Sequence, residues 1–220
     1  MFQKIKNYII EHRAQDLYYL WTLSKELSGA KSVLDVGCGY DSPLAKLRKS
    51  FTSEGIDIFR SNIILSRKNH MHDRHKLGDI RKLSQIYKSN SFDAVIALDV
   101  IEHVTKKEAI KLIKSCEQIA RKKVILVTPN GYYEQGELFH NPYQAHHSGW
   151  DKETLRKLGY RVNGLRGFKY LWGKNADIKY KPWLFWGFVT FMSQFLFYYI
   201  PALSFDLLAT KNIVKSEIRE

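Results

Sequence analysis

One stretch constrains the fold of this chain more than any other: Val33-Leu34-Asp35-Val36-Gly37-Cys38-Gly39-Tyr40-Asp41. An apolar run with a single acid leads into two glycines, and the Ser-Pro pair that follows is a typical helix start. The pattern predicts a strand, a tight turn and a helix N-terminus. Such a turn suits a nucleotide-like ligand, because glycines admit a close approach and helix N–H groups attract polar groups. An ordinary strand-to-helix connection is the alternative, since Ser42 replaces the third glycine of the dinucleotide fingerprint.

Acids follow at the spacing that nucleotide sites use. Asp57 ends a short strand that continues into Ile58, and it lies about 20 residues past the turn, where an acid accepts hydrogen bonds from ribose hydroxyls. Asp79 and Ile80 stand before a further helix. Asp79 there can receive an adenine amine, and it can equally cap the helix without any ligand.

Two later stretches indicate buried parallel strands. Residues 94–98 form a continuous apolar run that ends at Asp99, with Glu102 and His103 just beyond it. Residues 124–128 form a second run, closed by a Pro-Asn-Gly turn. Strands alternate with helical patterns up to this point, which predicts a parallel sheet with right-handed crossovers.

Taken together, these segments resemble class I S-adenosylmethionine-dependent methyltransferases, of the type 11 and type 12 kind, over about residues 30–165. The resemblance implies an α/β, doubly wound, mostly parallel seven-stranded sheet (a Rossmann-like methyltransferase fold) whose last strand, at 203–211, is antiparallel. It also implies S-adenosylmethionine as the cofactor. The candidate cofactor-binding residues are Asp35, Gly37, Cys38, Gly39, Asp57, Ile58, Asp79, Ile80, Leu98 and Asp99.

The acceptor side is expected after residue 130, in a polar and aromatic loop that contains His146 and His147. Methyl transfer to a hydroxyl needs positioning and a proton acceptor, so His103, His146 and His147 are the candidate catalytic residues. A structural loop with a capping histidine is the alternative. No metal site is predicted: the cluster of His70, His72, Asp73 and His75 lacks ligand spacing and is typical of a solvated connection over residues 59–76.

The C-terminal part is the least generic. A basic stretch at 152–181 precedes a charge-free aromatic insert at 182–201, which we expect to form a helix or helical hairpin between the last two strands. It either packs on its own domain or enters a membrane interface, to which the basic stretch would draw anionic lipid. A membrane span is the third alternative, but it would separate the last strand from the sheet.

The whole chain, 1–220, is predicted to be one domain that begins with a helix over 1–28, either packed on the core or covering the cofactor turn. The two cysteines lack a metal-like spacing and indicate reduced thiols in a cytoplasmic protein.

The formal net charge of +13 favours an anionic partner. We therefore expect methyl transfer to a hydroxyl of a lipid-linked, glycan or other amphipathic acceptor at the inner membrane face. An RNA methyltransferase and a non-catalytic cofactor-binding module are the alternatives. Nucleic acid is the less favoured partner, because the aromatic residues are not interleaved with the basic residues as they are in nucleic-acid-binding surfaces.

Overall fold

The computed structural model describes residues 17–47, 51–137, 141–173 and 177–214. Its strands are β1 Ser32–Val36, β2 Thr52–Asp57, β3 Arg74–Leu77, β4 Phe92–Leu98, β5 Ala120–Pro129, β6 Arg161–Phe168 and β7 Ser204–Asn212. Its α-helices are α1 over 17–26, α2 Arg60–Lys68, α3 Leu83–Ile86, α4 Lys106–Ile119, α5 Lys152–Lys157 and α6 Trp183–Phe197.

The strands form one seven-stranded sheet in the order β3-β2-β1-β4-β5-β7-β6. The first five strands of the chain are parallel, and β7 runs antiparallel to both β5 and β6. This confirms the predicted fold class. The chain builds outward from β1 to β3 and then returns to place β4 on the other side of β1, so the carboxyl ends of β1 and β4 lie side by side. Open α/β sheets bind their ligands at such a reversal.

Helix α4 shows how the sequence builds the core. Its N-terminus carries a capping box in which Thr105 accepts from the Glu108 N–H and the Glu108 side chain accepts from the Thr105 N–H. Its buried face consists of apolar residues at helical spacing, as expected: Ala109, Leu112, Ile113, Cys116 and Ile119. This face packs against the sheet in one apolar cluster with the buried strand residues.

Two expectations about connections are wrong. The segment 59–76, expected to be a solvated connection, contains α2 and most of β3. The pattern of apolar residues in this segment does not indicate a helix, because α2 buries the polar residues Asn62 and Ser66 together with Ile63, whereas Ile64 is exposed. The helix expected to start after the glycine turn is a short 3-10 helix over Pro43–Lys46, and residues 48–50 lie outside the described part.

Helix α6 lies between β6 and β7 in the chain and packs on β6, as an insert between the edge strands should. Its thin polar stripe, Gly187, Thr190 and Gln194, is its buried face. The Gln194 side chain accepts from the Gly167 N–H at 3.0 Å and donates to the Gly164 carbonyl at 3.1 Å. A Cβ on either glycine would collide with the α6 segment, at the Phe197 or the Thr190 carbonyl oxygen. Glycine on β6 therefore permits this close packing.

Helix α1 is seen over 17–26, and residues 1–16 of the expected N-terminal helix lie outside the described part. It packs on the sheet through Leu23 and Leu27, which are buried. It also contacts α6, since the rings of Tyr18 and Phe195 lie 5.6 Å apart in an edge-on arrangement. Within the described residues, no helix has both the length and the apolar character that crossing a membrane would need.

Candidate functional site

A cavity of about 530 Å³ opens at the carboxyl edge of the sheet, where β1 and β4 end. Its volume is in the range of small-molecule and cofactor sites. Six of the predicted cofactor residues line it, and they come from the glycine turn and from the end of β4: Asp35, Gly37, Cys38, Gly39, Leu98 and Asp99. The two most informative stretches of the sequence thus form two walls of one cavity.

The glycine turn owes its shape to left-handed backbone at Gly37 (φ 68°) and Gly39 (φ 59°). A Cβ on Gly37 would lie 2.7 Å from the Val100 Cγ2 atom, so the turn also packs tightly against the residue after β4. The N–H groups of Gly37 and Cys38 both donate to the Ile56 carbonyl, at 2.8 and 3.1 Å. The turn therefore presents a shaped surface to a ligand rather than a set of free backbone donors.

Asp35 joins β1 to the 3-10 helix that follows the turn. Its Oδ2 atom accepts from the Ser42 hydroxyl at 2.6 Å, and the Ser42 oxygen in turn caps the 3-10 helix at the Leu44 N–H. Burial raises the pKa of Asp35 to about 7, against the lowering effect of the Ser42 hydroxyl. The buried Asp35 carboxyl thus connects β1 to the 3-10 helix by hydrogen bonding within the wall of the cavity.

Asp57 and Ile58 lie behind this wall and do not line the cavity described above. The Asp57 carboxylate accepts from the Gly39 N–H at 2.9 Å, from the Phe59 N–H at 2.7 Å and from the Asn62 amide at 3.2 Å. Phe59 and Asn62 do line the cavity. Asp57 holds the turn against β2, and its contact with a ribose stays a prediction.

Asp79 occupies the capping role that was one of its two predicted roles. Its side chain accepts from the Arg81 N–H at 2.9 Å at the start of a 3-10 turn. The hydrogen bonds and charge of Arg81 lower the pKa of Asp79. Ile80 packs against the core. Neither residue lines the cavity described above, and their contact with an adenine stays a prediction.

Asp99 and Arg166 form the polar end of the cavity. Both have left-handed backbone, with φ of 54° and 59°, which is uncommon for residues with a side chain. The Arg166 Nε atom lies 3.1 Å from Oδ2 of the buried Asp206. The Asp99 side chain is open to the cavity, and the surrounding protein raises its pKa against the lowering effect of Arg166. This end of the cavity thus carries both an acidic side chain, Asp99, and a basic one, Arg166, and Arg166 is paired with Asp206 of the same domain.

Two of the three candidate catalytic histidines, His103 and His146, meet each other, and neither lines the cavity described above. The rings of His103 and His146 lie 4.7 Å apart, next to the buried carboxyl group of Glu102. The Nδ1 atom of His103 lies 3.3 Å from the Ala145 carbonyl, and that of His146 lies 2.7 Å from the Tyr133 carbonyl. Carbonyl oxygens only accept, so Nδ1 carries the proton in both rings and Nε2 keeps a lone pair.

His147 lies outside this group. Its side chain is exposed, and its N–H donates to the Glu102 carbonyl at 2.8 Å, alongside the Ser148 N–H. Burial lowers the pKa of His103 to about 4, so that ring is neutral near pH 7. Glu102, His103 and His146 are also the one group of the described residues whose donor atoms lie close enough together to hold a metal ion. This group was not predicted from the sequence.

The sequence did not single out several polar or aromatic residues that line the cavity, among them Tyr19, Asn62, Gln144 and Arg166. No motif marks them, because they come from separate parts of the chain: α1, α2, β6 and the loop after β5. The N-terminal helix gave a partial signal, since one of its two predicted roles was to cover the cofactor turn. Both roles apply to α1, which packs on the core through Leu23 and lines the cavity through Tyr19 and Leu20.

Known proteins match this chain over most of its length. Residues 10–165 match a family model described as a methyltransferase domain. An uncharacterised protein of Methanocaldococcus jannaschii is 28% identical over 130 residues, which are 59% of this chain and 55% of that protein. The match thus spans about half the length of this curated relative.

Solved structures share the fold. A methyltransferase from Archaeoglobus fulgidus described as SAM-dependent superposes with a TM-score of 0.59 at 16% identity, covering 94% of both chains. One from Methanosarcina mazei gives 0.57 at 14% identity and covers 89% of this chain and 98% of that one. The methyltransferase domain of a bacterial Hen1 gives 0.57 at 19% identity, with 92% and 99% covered.

The cavity fits the cofactor that this fold implies. A Cβ on Gly39 would stand in open space at the lining of the cavity, so this glycine leaves room for a ligand, and the cavity volume is in the range of cofactor sites. The residues that would hold S-adenosylmethionine are those of the turn together with Leu98 and Asp99. The chain therefore belongs to the methyltransferase-domain family, and the cavity is where S-adenosylmethionine, the cofactor that this fold implies, would bind.

Proposed function

We propose that this enzyme methylates a hydroxyl group of an amphipathic acceptor that it takes from a membrane surface. A lipid-linked glycan intermediate, a phenolic lipid or a lipid head group has the required chemistry. The observation that carries the proposal is the exposed apolar face of α6 and its connection, through α1, to the rim of the cavity.

Helix α6 exposes large apolar side chains along the side that faces away from the sheet. Phe185 is 55% exposed and Phe188 is 62% exposed. The remaining exposed apolar residues of this helix and the turn after it are Leu184, Met192, Phe195, Leu196, Tyr199 and Ile200. We call this set, with the two phenylalanines, the α6 face. A continuous apolar face of this size on a soluble domain indicates a partner, since monomers rarely expose one.

Helix α1 extends the α6 face to the cavity. Tyr18 packs edge-on against Phe195 of the α6 face, and its ring lies 5.6 Å from that of the exposed Trp21. The neighbouring residues Tyr19 and Leu20 line the cavity. One turn of α1 therefore belongs both to the apolar surface and to the cavity wall. An acceptor with a lipid tail on the α6 face would have its polar end beside this wall.

Cations flank the α6 face at the start of the helix. The Lys181 Nζ atom lies 5.1 Å from the centre of the Trp183 ring, and Lys179 Nζ lies 5.5 Å from that of Tyr180. Aromatic rings and lysines together are typical of segments that lie in the interface of a membrane with anionic lipid. Both are at one end of the α6 face, which favours a membrane surface as the partner.

The chemistry of the site agrees with an oxygen acceptor. Bound S-adenosylmethionine supplies the activated methyl group, so the protein has to orient the acceptor and manage its proton. A hydroxyl loses its proton when its oxygen is methylated. The Nε2 atoms of His103 and His146 keep their lone pairs, and the charge of Asp99, which lines the cavity, acts on His146. These two imidazoles are the groups in position to receive the proton or to hold the oxygen.

The test follows labelled methyl from S-adenosylmethionine into a lysate of the source cell, separated afterwards into organic-extractable, RNA, protein and water-soluble fractions. The proposal expects label in the organic fraction, absent with heat-inactivated enzyme. Label in the RNA fraction would support the alternative acceptor instead; one of the structural relatives is described as a small RNA methyltransferase, at 18% identity and a TM-score of 0.58. Label in no fraction, with the cofactor still bound, would support the non-catalytic module.

A further inference from the structure

We propose that Glu102, His103 and His146 bind a divalent transition-metal ion near Asp99, which lines the cavity. The site lies at the same place as the proposed chemistry, and it deepens that proposal by assigning an ion to hold the acceptor oxygen. Metal binding itself does not depend on the identity of the acceptor, so it can be tested without methyl transfer.

The first support is the distance between the donor atoms. One atom from each of the three side chains lies within 4.8 Å of the others. Two ligands of one tetrahedral ion with bonds of about 2.0–2.2 Å are separated by about 3.3–3.6 Å. Side-chain rotations that shorten the longest separation by about 1 Å would therefore bring the three atoms onto one ion.

The second support is a buried carboxyl oxygen of Glu102 that has no hydrogen-bond partner. Glu102 is 3% exposed, and its Oε1 atom has no hydrogen-bond partner in the described structure. The other oxygen, Oε2, accepts from the Thr128 hydroxyl at 2.9 Å. A buried carboxylate oxygen without a partner costs free energy unless a cation or a donor faces it. The neighbouring imidazoles do not supply a donor, because their Nε2 atoms are acceptors.

The groups behind the three side chains orient them as the second layer of a metal site does. The backbone carbonyls of Ala145 and Tyr133 hold the Nδ1 side of each ring. Thr128 holds the far oxygen of the carboxylate. Ligating histidines typically donate their other N–H to a carbonyl or carboxylate, which fixes the tautomer and the ring orientation. The Nε2 atom of each ring and the Oε1 atom of Glu102 thus remain available to an ion.

The donor set indicates the kind of ion. One carboxylate and two imidazoles suit Zn²⁺, Fe²⁺, Co²⁺ or Mn²⁺ better than Mg²⁺ or Ca²⁺, which favour oxygen ligands alone. Three protein ligands also leave positions open, as catalytic sites require. An acceptor hydroxyl bound there would become more acidic. Because the two imidazoles would then hold the ion, its proton would leave to water or to the Asp99 carboxylate, which lines the cavity.

The test is a titration of the full chain, stripped of metal by chelation and dialysis, with Co²⁺ followed by visible absorption and then displaced by Zn²⁺. We expect one ion per chain. Glu102→Gln keeps an acceptor for Thr128 but removes the charge, and His146→Ala changes a loop residue, so circular dichroism can confirm that both variants fold. Each should weaken Co²⁺ binding at least ~10-fold, since losing even an outer partner of a metal site costs that much.

The matched control is His147→Ala, which removes the neighbouring imidazole that lies exposed outside the group. Its Co²⁺ affinity should equal that of the unchanged protein. The proposal is overturned if the protein binds no stoichiometric Co²⁺, if His146→Ala binds it as tightly as the unchanged protein, or if His147→Ala weakens binding as much as His146→Ala. None of these outcomes depends on which acceptor is methylated.

Discussion

The packing of the glycine turn can be tested by giving Gly37 a single methyl group. In Gly37→Ala the new Cβ would lie 2.7 and 3.0 Å from the two Cγ atoms of Val100, which is buried. The residue would also keep a φ near 68°, a conformation that alanine resists. The change therefore combines a backbone cost with a clash against the residue that follows β4.

The two costs can be separated with a glycine elsewhere. The left-handed conformation costs a residue with a Cβ about 1–2 kcal/mol. Overpacking a tight contact costs a further ~1–3 kcal/mol. Gly29 has a φ of 77°, but a Cβ there meets nothing within 4 Å. Gly29→Ala should then show the backbone cost alone, and Gly37→Ala should lose about 1–3 kcal/mol more.

Urea unfolding of both variants, followed by circular dichroism, measures the two free energies of unfolding. The variant Val100→Ala removes both Cγ atoms, so the double variant Gly37→Ala/Val100→Ala should be more stable than the sum of the two single changes predicts. Equal stability of Gly37→Ala and Gly29→Ala, or strict additivity with Val100→Ala, would refute the close contact between the turn and the end of β4.

Two further predictions concern the α6 face and Asp35. Phe185→Glu/Phe188→Glu should lower the affinity for vesicles of phosphatidylcholine and phosphatidylglycerol at least ~10-fold in a sedimentation assay, since each buried Phe contributes about 1.5–3 kcal/mol. The control Ile64→Glu/Leu65→Glu, which places charges on exposed apolar positions of α2, should bind the vesicles as the unchanged protein does. Equal losses of affinity in both variants would contradict the assignment of the α6 face to a membrane. Burial raises the pKa of Asp35 from 3.8 to about 7, so the folded protein binds the carboxyl proton of Asp35 more tightly than the unfolded chain does. Binding of this proton therefore stabilises the fold at acid pH, and that stabilisation is lost as the pH rises from 3.8 to about 7. Asp35→Asn should flatten the dependence of the unfolding free energy on pH over that range, whereas an unchanged profile would show that the carboxyl does not titrate there.

The sheet could be predicted from the sequence because its signals are local. The apolar runs of β1, β4 and β5, each ended by an acid, a glycine or a proline, specify strands and the edge at which they end. The antiparallel last strand and the insert before it followed from the family resemblance and from the two prolines around the aromatic run. Helix α2 could not be predicted in this way, because its buried face uses Asn62 and Ser66.

The candidate site could be predicted only where one segment supplies it. The residues of the glycine turn and the end of β4 are read directly from their motifs. Arg166 reaches the cavity because β6 is brought beside β7, and no local pattern marks it. The group of Glu102, His103 and His146 depends on a loop that returns to β4 from more than forty residues away, as the separation of 42 between His103 and its partner Ala145 shows. Such long-range placement is a property of the fold and not of a motif.

The measurement that tests the central claim most directly is the rate of labelled methyl transfer into the organic-extractable fraction, for the unchanged enzyme and for Phe185→Glu/Phe188→Glu. The substituted side chains belong to the α6 face and do not line the cavity. We predict that the variant binds S-adenosylmethionine with unchanged affinity and loses most of its transfer to acceptors in membranes. Full transfer by the variant, or label in RNA instead of the organic fraction, would contradict a membrane-held acceptor.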